Sequence, residues 1–354
     1  ACQTCWEQES RSGISDRLRS SDPLISGIDI DNPKMISYDL KIDDSCNLRC
    51  RMCTPHLSNK LRIDAKQFHE RGIELPETYQ ASVNTQTRYL QENSHQEVLN
   101  TLNDEEWNFL LDNLSSCREL KIAGGEPFTS KIFNELLEYA IAYNYAKDIQ
   151  LTILTNATKF SNATINKVGK FKKLVAYFSI DGINKTYEYI RYPMPFKKLQ
   201  SSVVNFLNNA TNYDGIGHSF TVQVYNIHNV IDYVDYYMEF YSKYIDKLTH
   251  LSILFDLVHP ENGPLSIKWL PNYILKPILD KIELKNINYG PKVKIHLDNL
   301  KGYIQEALVV DEKLKLEKLK QTKHEVVSFD INRNQSYKDY LDPELVKLLN
   351  SISI

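Results

Sequence analysis

Three cysteines crowd into eight residues, Cys46-Asn47-Leu48-Arg49-Cys50-Arg51-Met52-Cys53. Three thiolates on one short loop can hold three corners of an iron–sulfur cube. No fourth cysteine lies close enough in sequence to close such a site. A cube with three protein ligands leaves one iron open, and an open iron is where a small molecule can coordinate and react. Two other uses of the same residues stand beside this one. A zinc site wants a fourth ligand, and His56, three residues beyond Cys53, could supply it. A disulfide with one spare thiol is the third, disfavoured in a reducing compartment. The open cube fits the spacing best, and His56 then falls in the following turn.

The remaining cysteines are Cys2, Cys5 and Cys117. Cys2 and Cys5 could share one metal or cluster edge, but two ligands cannot enclose a cluster unaided. The plain alternative is a loose tail with two idle thiols. Cys117 stands alone between an expected helix and an expected strand and reads as a small buried hydrophobe. A chain of 354 residues builds its own core and does not need disulfide staples.

The elements around the cysteines set a rhythm. Residues 1–33 are polar and loop-like, and residues 35–42 alternate as a strand that leads directly into the cysteine loop. Residues 57–102 read as a partly helical insertion. Strands are then expected at 119–123, 150–154, 174–180, 219–225 and 249–257. Between them the pattern gives helices at about 104–116, 129–145, 161–168, 184–191, 196–209 and 229–246, the first capped by Asn103 or Asp104. Six strands alternating with helices argue for an α/β fold with a parallel sheet and right-handed crossovers. Reactive residues in such folds gather at the C-terminal ends of the strands. The cysteine loop, Gly124-Gly125-Glu126-Pro127, Thr155-Asn156 and Ser179-Ile180-Asp181-Gly182 all fall there. Residues 270–354 read as helical, with Asp330 and Asp342-Pro343-Glu344 marking helix starts.

Composition limits the partners. The chain is 42% hydrophobic and 25% charged, with a formal net charge of −3, which gives no electrostatic reason to expect nucleic acid. The Lys-rich stretch at 313–323 is interleaved with Glu and reads as a solvated helix face. No apolar run approaches the roughly 18–20 residues a membrane span needs, and no secretory signal is visible, so the expected location is the cytoplasm.

With these motifs in place, the chain resembles the radical S-adenosylmethionine superfamily. The Cys-x3-Cys-x2-Cys loop of Cys46, Cys50 and Cys53 after the first strand resembles its signature. Gly124-Gly125-Glu126-Pro127 resembles its second motif, and Ser179-Ile180-Asp181-Gly182 with Tyr189-Ile190-Arg191 resembles a stretch of its peptide-modifying branch. The resemblance is best over residues 35–260. It implies a partial (β/α)6 TIM-like barrel with a helical C-terminal extension. It implies a [4Fe–4S] cluster whose open iron chelates S-adenosyl-L-methionine, and one electron from the cluster then yields a 5′-deoxyadenosyl radical. Carried over residue by residue, Gly124, Gly125 and Glu126 receive the methionine amine. Asn156, Ser179, Asp181 and Arg191 become candidates for the rest of the cofactor. Plain readings stand against these: a turn-stabilising Asn156, a helix-capping Asp181, and a surface ion pair for Arg191. Met52 departs mildly from an aromatic residue common at that place.

Cys2-Gln3-Thr4-Cys5-Trp6-Glu7, with Gly13 to Arg17 after it, resembles a segment of the twitch group, whose shortened auxiliary module carries further cysteines. The expected organisation is a remnant of that module at 1–33, a core at 34–260 and a helical region at 261–354. The remnant is expected to be loosely packed with Trp6 as its anchor. More cysteines are expected upstream of Ala1, completing a second iron–sulfur cluster. The resemblance implies a peptide or protein substrate and an electron donor such as a flavodoxin or ferredoxin. A small metabolite or nucleotide substrate is the first alternative, and a zinc-binding or electron-transfer protein without catalysis is the second.

Overall fold

The computed structural model describes Trp6 and residues 34–79, 101–244, 250–286 and 289–353. The expectations about Cys2, Cys5 and the rest of 1–33 lie outside those residues, as does much of the expected insertion. Trp6 itself is 61% exposed and is not the buried anchor the sequence led us to expect.

The strand β1 (Ser37–Lys41) runs into the cysteine loop and then α1 (Asn59–Glu70). There follow α2 (Asp104–Asn113), β2 (Glu119–Ala123), α3 (Lys131–Ala142), β3 (Gln150–Thr155), α4 (Asn162–Val168) and β4 (Lys173–Ser179). Next come α5 (Asn184–Ile190), α6 (Phe196–Asn209), β5 (Tyr213–Val222), α7 (Val230–Ser242) and β6 (His250–Leu257). The C-terminal part is helical: α8 (Asn272–Asn286), α9 (Pro291–Leu308), α10 (Glu312–Arg333) and α11 (Pro343–Ser351).

The six strands form one sheet in the order β1-β2-β3-β4-β5-β6. Every adjacent pair is parallel. Strands neighbouring in sequence are neighbours in the sheet. Right-handed crossovers then put the helices on one face, as in a barrel that stops at six strands. This is the partial TIM-like architecture with a helical C-terminal region that the motifs implied. Tyr38, Ile122, Leu151, Ile153, Phe178, Ile216, Phe220 and Ile253 form the buried, helix-facing side. The alternate residues are more polar. Lys121, Thr152, Tyr177, Ser219 and Asp256 line a cavity of about 540 Å³ on the other face.

Local chemistry sets the element ends. Asn103 caps α2 in a reciprocal capping box with Glu106, and Ser130, Ser161, Asp311 and Asp342 accept first-turn N–H groups of α3, α4, α10 and α11. The sequence misplaced β5, which starts at Tyr213, six residues ahead of the expected strand. The added stretch contains Gly215 and Gly217. A Cβ on Gly217 would lie 2.4 Å from the Tyr177 ring. The glycine thus lets that phenol lie across the strand, and it does not end it. Asp330 is a second correction: it lies inside α10, one turn from its end, and starts no helix. Asp342 does start one. The Lys-rich face of α10 is largely solvated, but Lys315 is buried, donating to Asn272 Oδ1 at 2.6 Å.

A polar staple fixes α7 to the sheet. His218 on β5 is fully buried, with Nδ1 2.6 Å from the Tyr233 hydroxyl and Nε2 2.7 Å from the Tyr241 hydroxyl. Burial lowers its pKa to about 3, so the ring is neutral. Cys117 is buried, its thiol 3.3 Å from the Glu119 carbonyl oxygen, in the structural role expected of it.

The helix α10 packs on α1 and on the segment after it. Phe329 meets Phe68 and Tyr79 edge to face at 5.6 and 5.3 Å. The buried Glu325 carboxylate accepts from the Thr78 hydroxyl and its backbone N–H. Burial lifts this carboxyl from 4.5 to about 7, with the Thr78 bonds pulling the other way. Between those two values the folded chain holds the proton and the unfolded chain does not, so stability falls as pH rises. We predict a lower urea midpoint at about pH 7.5 than at about pH 5, and a shallower fall in Glu325→Gln, which is neutral throughout. A pH slope unchanged by the substitution would count against it.

Candidate cluster and cofactor site

The cysteine loop is stitched to the ends of its neighbours. The Gly125 N–H donates to the Asp43 carbonyl at 3.1 Å, and the Glu126 N–H to the Ser45 carbonyl at 2.6 Å. Asn59, opening α1, accepts from the Cys46 N–H at 3.2 Å. At the end of α5 and just beyond it, the Ile190 carbonyl accepts from the Arg51 N–H at 2.9 Å and the Tyr192 carbonyl from the Arg49 N–H at 2.7 Å. The loop thus sits over the C-terminal ends of β1 to β4, where the topology gathers reactive groups.

A Cβ on Gly125 would lie 2.2 Å from the Ser45 carbonyl oxygen. One on Gly124, at φ +146°, would lie 2.8 Å from the Asp43 carbonyl oxygen. Both glycines therefore make room for the backbone of the cysteine loop, where the sequence suggested room for a ligand.

Cys50 is buried, and Cys46 and Cys53 are half-buried. The Leu48 N–H lies 3.4 Å from Cys46 Sγ, and Arg191 Nη1 lies 3.8 Å from Cys50 Sγ. Burial first, and then the neighbouring thiols, pushes Cys46 above its usual value and Cys53 up to about 12. Cys50 is also raised by burial, with Arg191 and Arg333 opposing. Thiols with pKa values raised in this way give up their protons to a cationic centre more readily than to water. The Nδ1 of His56 is 2.9 Å from the Thr54 hydroxyl. Among the described residues no three His, Cys, Asp or Glu side chains converge as ligands of one ion would.

Arg191 is buried, not at the surface, and its Nε donates to Asp181 Oδ2 at 2.6 Å. Asp181 Oδ1 accepts from the Thr221 N–H at 2.7 Å, joining β4 to β5. It caps no helix, since Ile183 precedes α5 without a side-chain cap. Asn226 closes the same corner, donating to the Asp181 carbonyl at 3.1 Å. Glu126 is buried, accepting from the Thr155 hydroxyl at 2.7 Å, the Asn156 N–H at 2.6 Å and the Phe128 N–H at 3.2 Å. Burial outweighs these bonds and lifts its pKa to about 7. Asn156 donates to Asn47 Oδ1 at 2.9 Å and so ties β3 to the cysteine loop. Ser179 stands at the end of β4, opposite Ser219 in the register. Tyr187 adds a buried hydroxyl with no hydrogen-bond partner among the described residues, in the electrostatic surroundings of Arg191, Cys50 and Asp181.

Sequence reasoning missed the charged residues that hold the loop from behind. Arg49 Nη1 donates to Asp64 Oδ1 at 2.6 Å, and Arg333 donates to Asp64 Oδ2 at 2.6 and 3.1 Å. Arg51 donates to Asp330 Oδ1 at 2.6 Å and stacks 3.6 Å above the Tyr189 ring. The available signal was the alternation of arginines with cysteines at 49–53, because arginines beside a buried loop need carboxylate partners.

No protein-family model matches the chain, and no curated protein matches it. Solved structures similar to it include native anSMEcpe with bound AdoMet, at 17% identity, covering 72% of this chain, with a TM-score of 0.46. The chain spans 62% of the length of that protein. Streptococcus suis SuiB bound to S-adenosylmethionine is similar at 14% identity over 69% of this chain and 43% of that one, TM-score 0.36. The radical S-adenosylmethionine methyltransferase TsrM from Kitasatospora setae, with cobalamin and a [4Fe–4S] cluster bound, gives 10% identity over 63% and 37%, TM-score 0.35. Likeness at this level bears on neither activity nor substrate.

The glycine packing yields a prediction. Gly125→Ala forces a methyl group into the Ser45 carbonyl, so the metal-free protein should lose about 1–3 kcal/mol of stability or more. Urea unfolding checks it, and a midpoint equal to that of the parent would contradict the close packing of β2 on the loop.

Proposed function

We propose that this chain contains the core of a radical S-adenosylmethionine enzyme that modifies a peptide or protein. The observation that carries the reading is one juxtaposition. The loop of Cys46, Cys50 and Cys53 leaves the end of β1 and packs directly on Gly124-Gly125-Glu126 at the end of β2, in an open parallel sheet of six strands.

The residues fit a cluster. Three thiols lie on one loop, a backbone N–H and a guanidinium lie near two of the sulfurs, and burial keeps the thiols protonated until a cationic centre arrives. A zinc site would draw the thiolates and His56 to within roughly 2.0–2.3 Å of one point, an arrangement that the position of His56 beside Thr54 does not favour. When bound, the cluster supplies one electron and S-adenosylmethionine supplies the 5′-deoxyadenosyl radical. The protein's own part is to orient and to exclude water. Arg191 presents a buried positive charge beside Cys50 while Asp181 fixes its direction. The unpartnered Tyr187 hydroxyl and the carbonyls of Gly124 and Gly125 are offered to the cofactor. Glu126, Asn156 and Ser179 hold the strand ends around it.

The substrate belongs on the polar face of the sheet, in the cavity of about 540 Å³ lined by Thr152, Tyr177, Ser219 and Asp256. Among the described residues β1 and β6 each pair on one side only. A sheet open between its edges suits an extended peptide better than an enclosed metabolite. Within this reading residues 34–260 are the core and 261–354 a helical region, and a flavodoxin- or ferredoxin-like protein supplies the electron. Among the described residues no helix is long and apolar enough to cross a membrane.

Anaerobic reconstitution should load about four irons and four sulfides per site, and Cys50→Ala should abolish loading. With dithionite, the loaded protein should form 5′-deoxyadenosine and methionine from S-adenosylmethionine. Stoichiometric zinc without iron-dependent absorbance in the anaerobically purified protein would overturn the proposal.

A further inference from the structure

We propose that α10 is a clamp on the cysteine loop, with Asp330 and Arg333 as positioning residues that keep Cys50 buried and in place. The cluster reading gives the clamp its purpose, but the geometry stands without it. Both residues flanking Cys50 are arginines: Arg51 pairs directly with Asp330 on α10, and Arg49 pairs with Asp64 on α1, a carboxylate that Arg333 of α10 also holds.

Arg51, between Cys50 and Cys53, is fully buried and donates to Asp330 Oδ1 at 2.6 Å and to Gln335 Oε1 at 3.1 Å. Its Nε donates to the Tyr189 carbonyl at 3.0 Å, and the Tyr189 hydroxyl returns to Asp330 Oδ1 at 2.9 Å. Arg49, before Cys50, shares the buried Asp64 carboxylate with Arg333. Asp330 and Arg333 are three residues apart, so they lie one above the other on one face of α10. That face carries a carboxylate for Arg51 and a guanidinium that orders the carboxylate serving Arg49.

Charges buried this deeply are held only where each has its partner, and losing one partner leaves the other stranded. The stranded charge pulls toward water, and the arginine it belongs to carries Cys50 with it. A helix that merely covered the core would use apolar contacts. Here, beside its Phe329 contacts, it reaches Arg51 through a direct ion pair and Arg49 at one remove, through the Asp64 carboxylate that Arg333 shares. None of these four residues touches solvent enough to serve as surface charge: the side chains of Arg51, Asp64 and Arg333 are 0% exposed and that of Asp330 8%.

The test is site-resolved alkylation of the metal-free chain with iodoacetamide, read by mass spectrometry. Cys117, buried in the core away from the loop, is the internal control. In Asp330→Asn and Arg333→Gln, alkylation of Cys50 should rise about tenfold or more, while Cys117 stays at the parent rate. General loosening would raise both, and a merely structural role would give that result. Gln335→Ala removes one acceptor of Arg51 without stranding a buried carboxylate, and should give a smaller, Cys50-selective rise even where the other variants fail to fold. Arg333→Lys should restore part of the protection that Arg333→Gln loses. Cys50 reacting at the parent rate in the folded variants, or in step with Cys117, would overturn the clamp. In the reconstituted parent and variants, release of iron to a chelator should follow the same order. A parent that binds no iron would overturn the cluster reading, and alkylation would still decide the clamp.

Discussion

Two backbone hydrogen bonds, from Gly125 to Asp43 and from Glu126 to Ser45, set the distance between the end of β2 and the start of the cysteine loop. That distance leaves no room for a side chain at 125. Everything around it adapts. The Glu126 side chain turns away to bind Thr155 and Asn156, Asn156 turns back to Asn47, and the ends of three strands become one rigid rim. The rim exists because the sheet is parallel and its strands are in sequence order, so each successive C-terminal end arrives beside the last.

The rim is polar, buried and almost fully bonded internally. Asp181 illustrates the cost and its offset. A buried carboxylate is tolerable because Arg191 and the Thr221 N–H both donate to it, while Asn226 holds the Asp181 backbone carbonyl. Arg191 then has one end left over, and that end lies near Cys50. Electrostatic direction at the thiols is therefore inherited from a structural ion pair between the fourth and fifth strands.

Much of this was legible in the sequence, and the reasons are physical. Strands β2 and β3 carry clean two-residue alternation, and Asn103 with Glu106 marks a helix start by its chemistry, so those elements fell where expected. The three cysteines, the glycine pair and the Asp181–Arg191 stretch were visible as short local patterns at strand ends. β5 was misread at its start because Gly217 makes room for Tyr177 across the sheet, which no local pattern reveals. Asp330 was misread because an acidic residue near a polar stretch looks like a cap, whereas its partners are Arg51 and Tyr189, far away in sequence. Contacts of that kind have no periodicity to betray them.

The separation itself has a consequence in time. Within the sheet every strand pairs with the one made just before or just after it, so pairing can proceed as the chain emerges. The bond between Arg51 and Asp330 spans 279 residues. At ribosomal rates the cysteine loop waits on the order of tens of seconds for the helix that secures it. During that interval Arg51 lacks its Asp330 partner, and only afterwards is the stretch around Cys50 secured as the structure shows it. If the proposed cluster is present, the order of synthesis sets an interval for loading that ends when the last long helix docks.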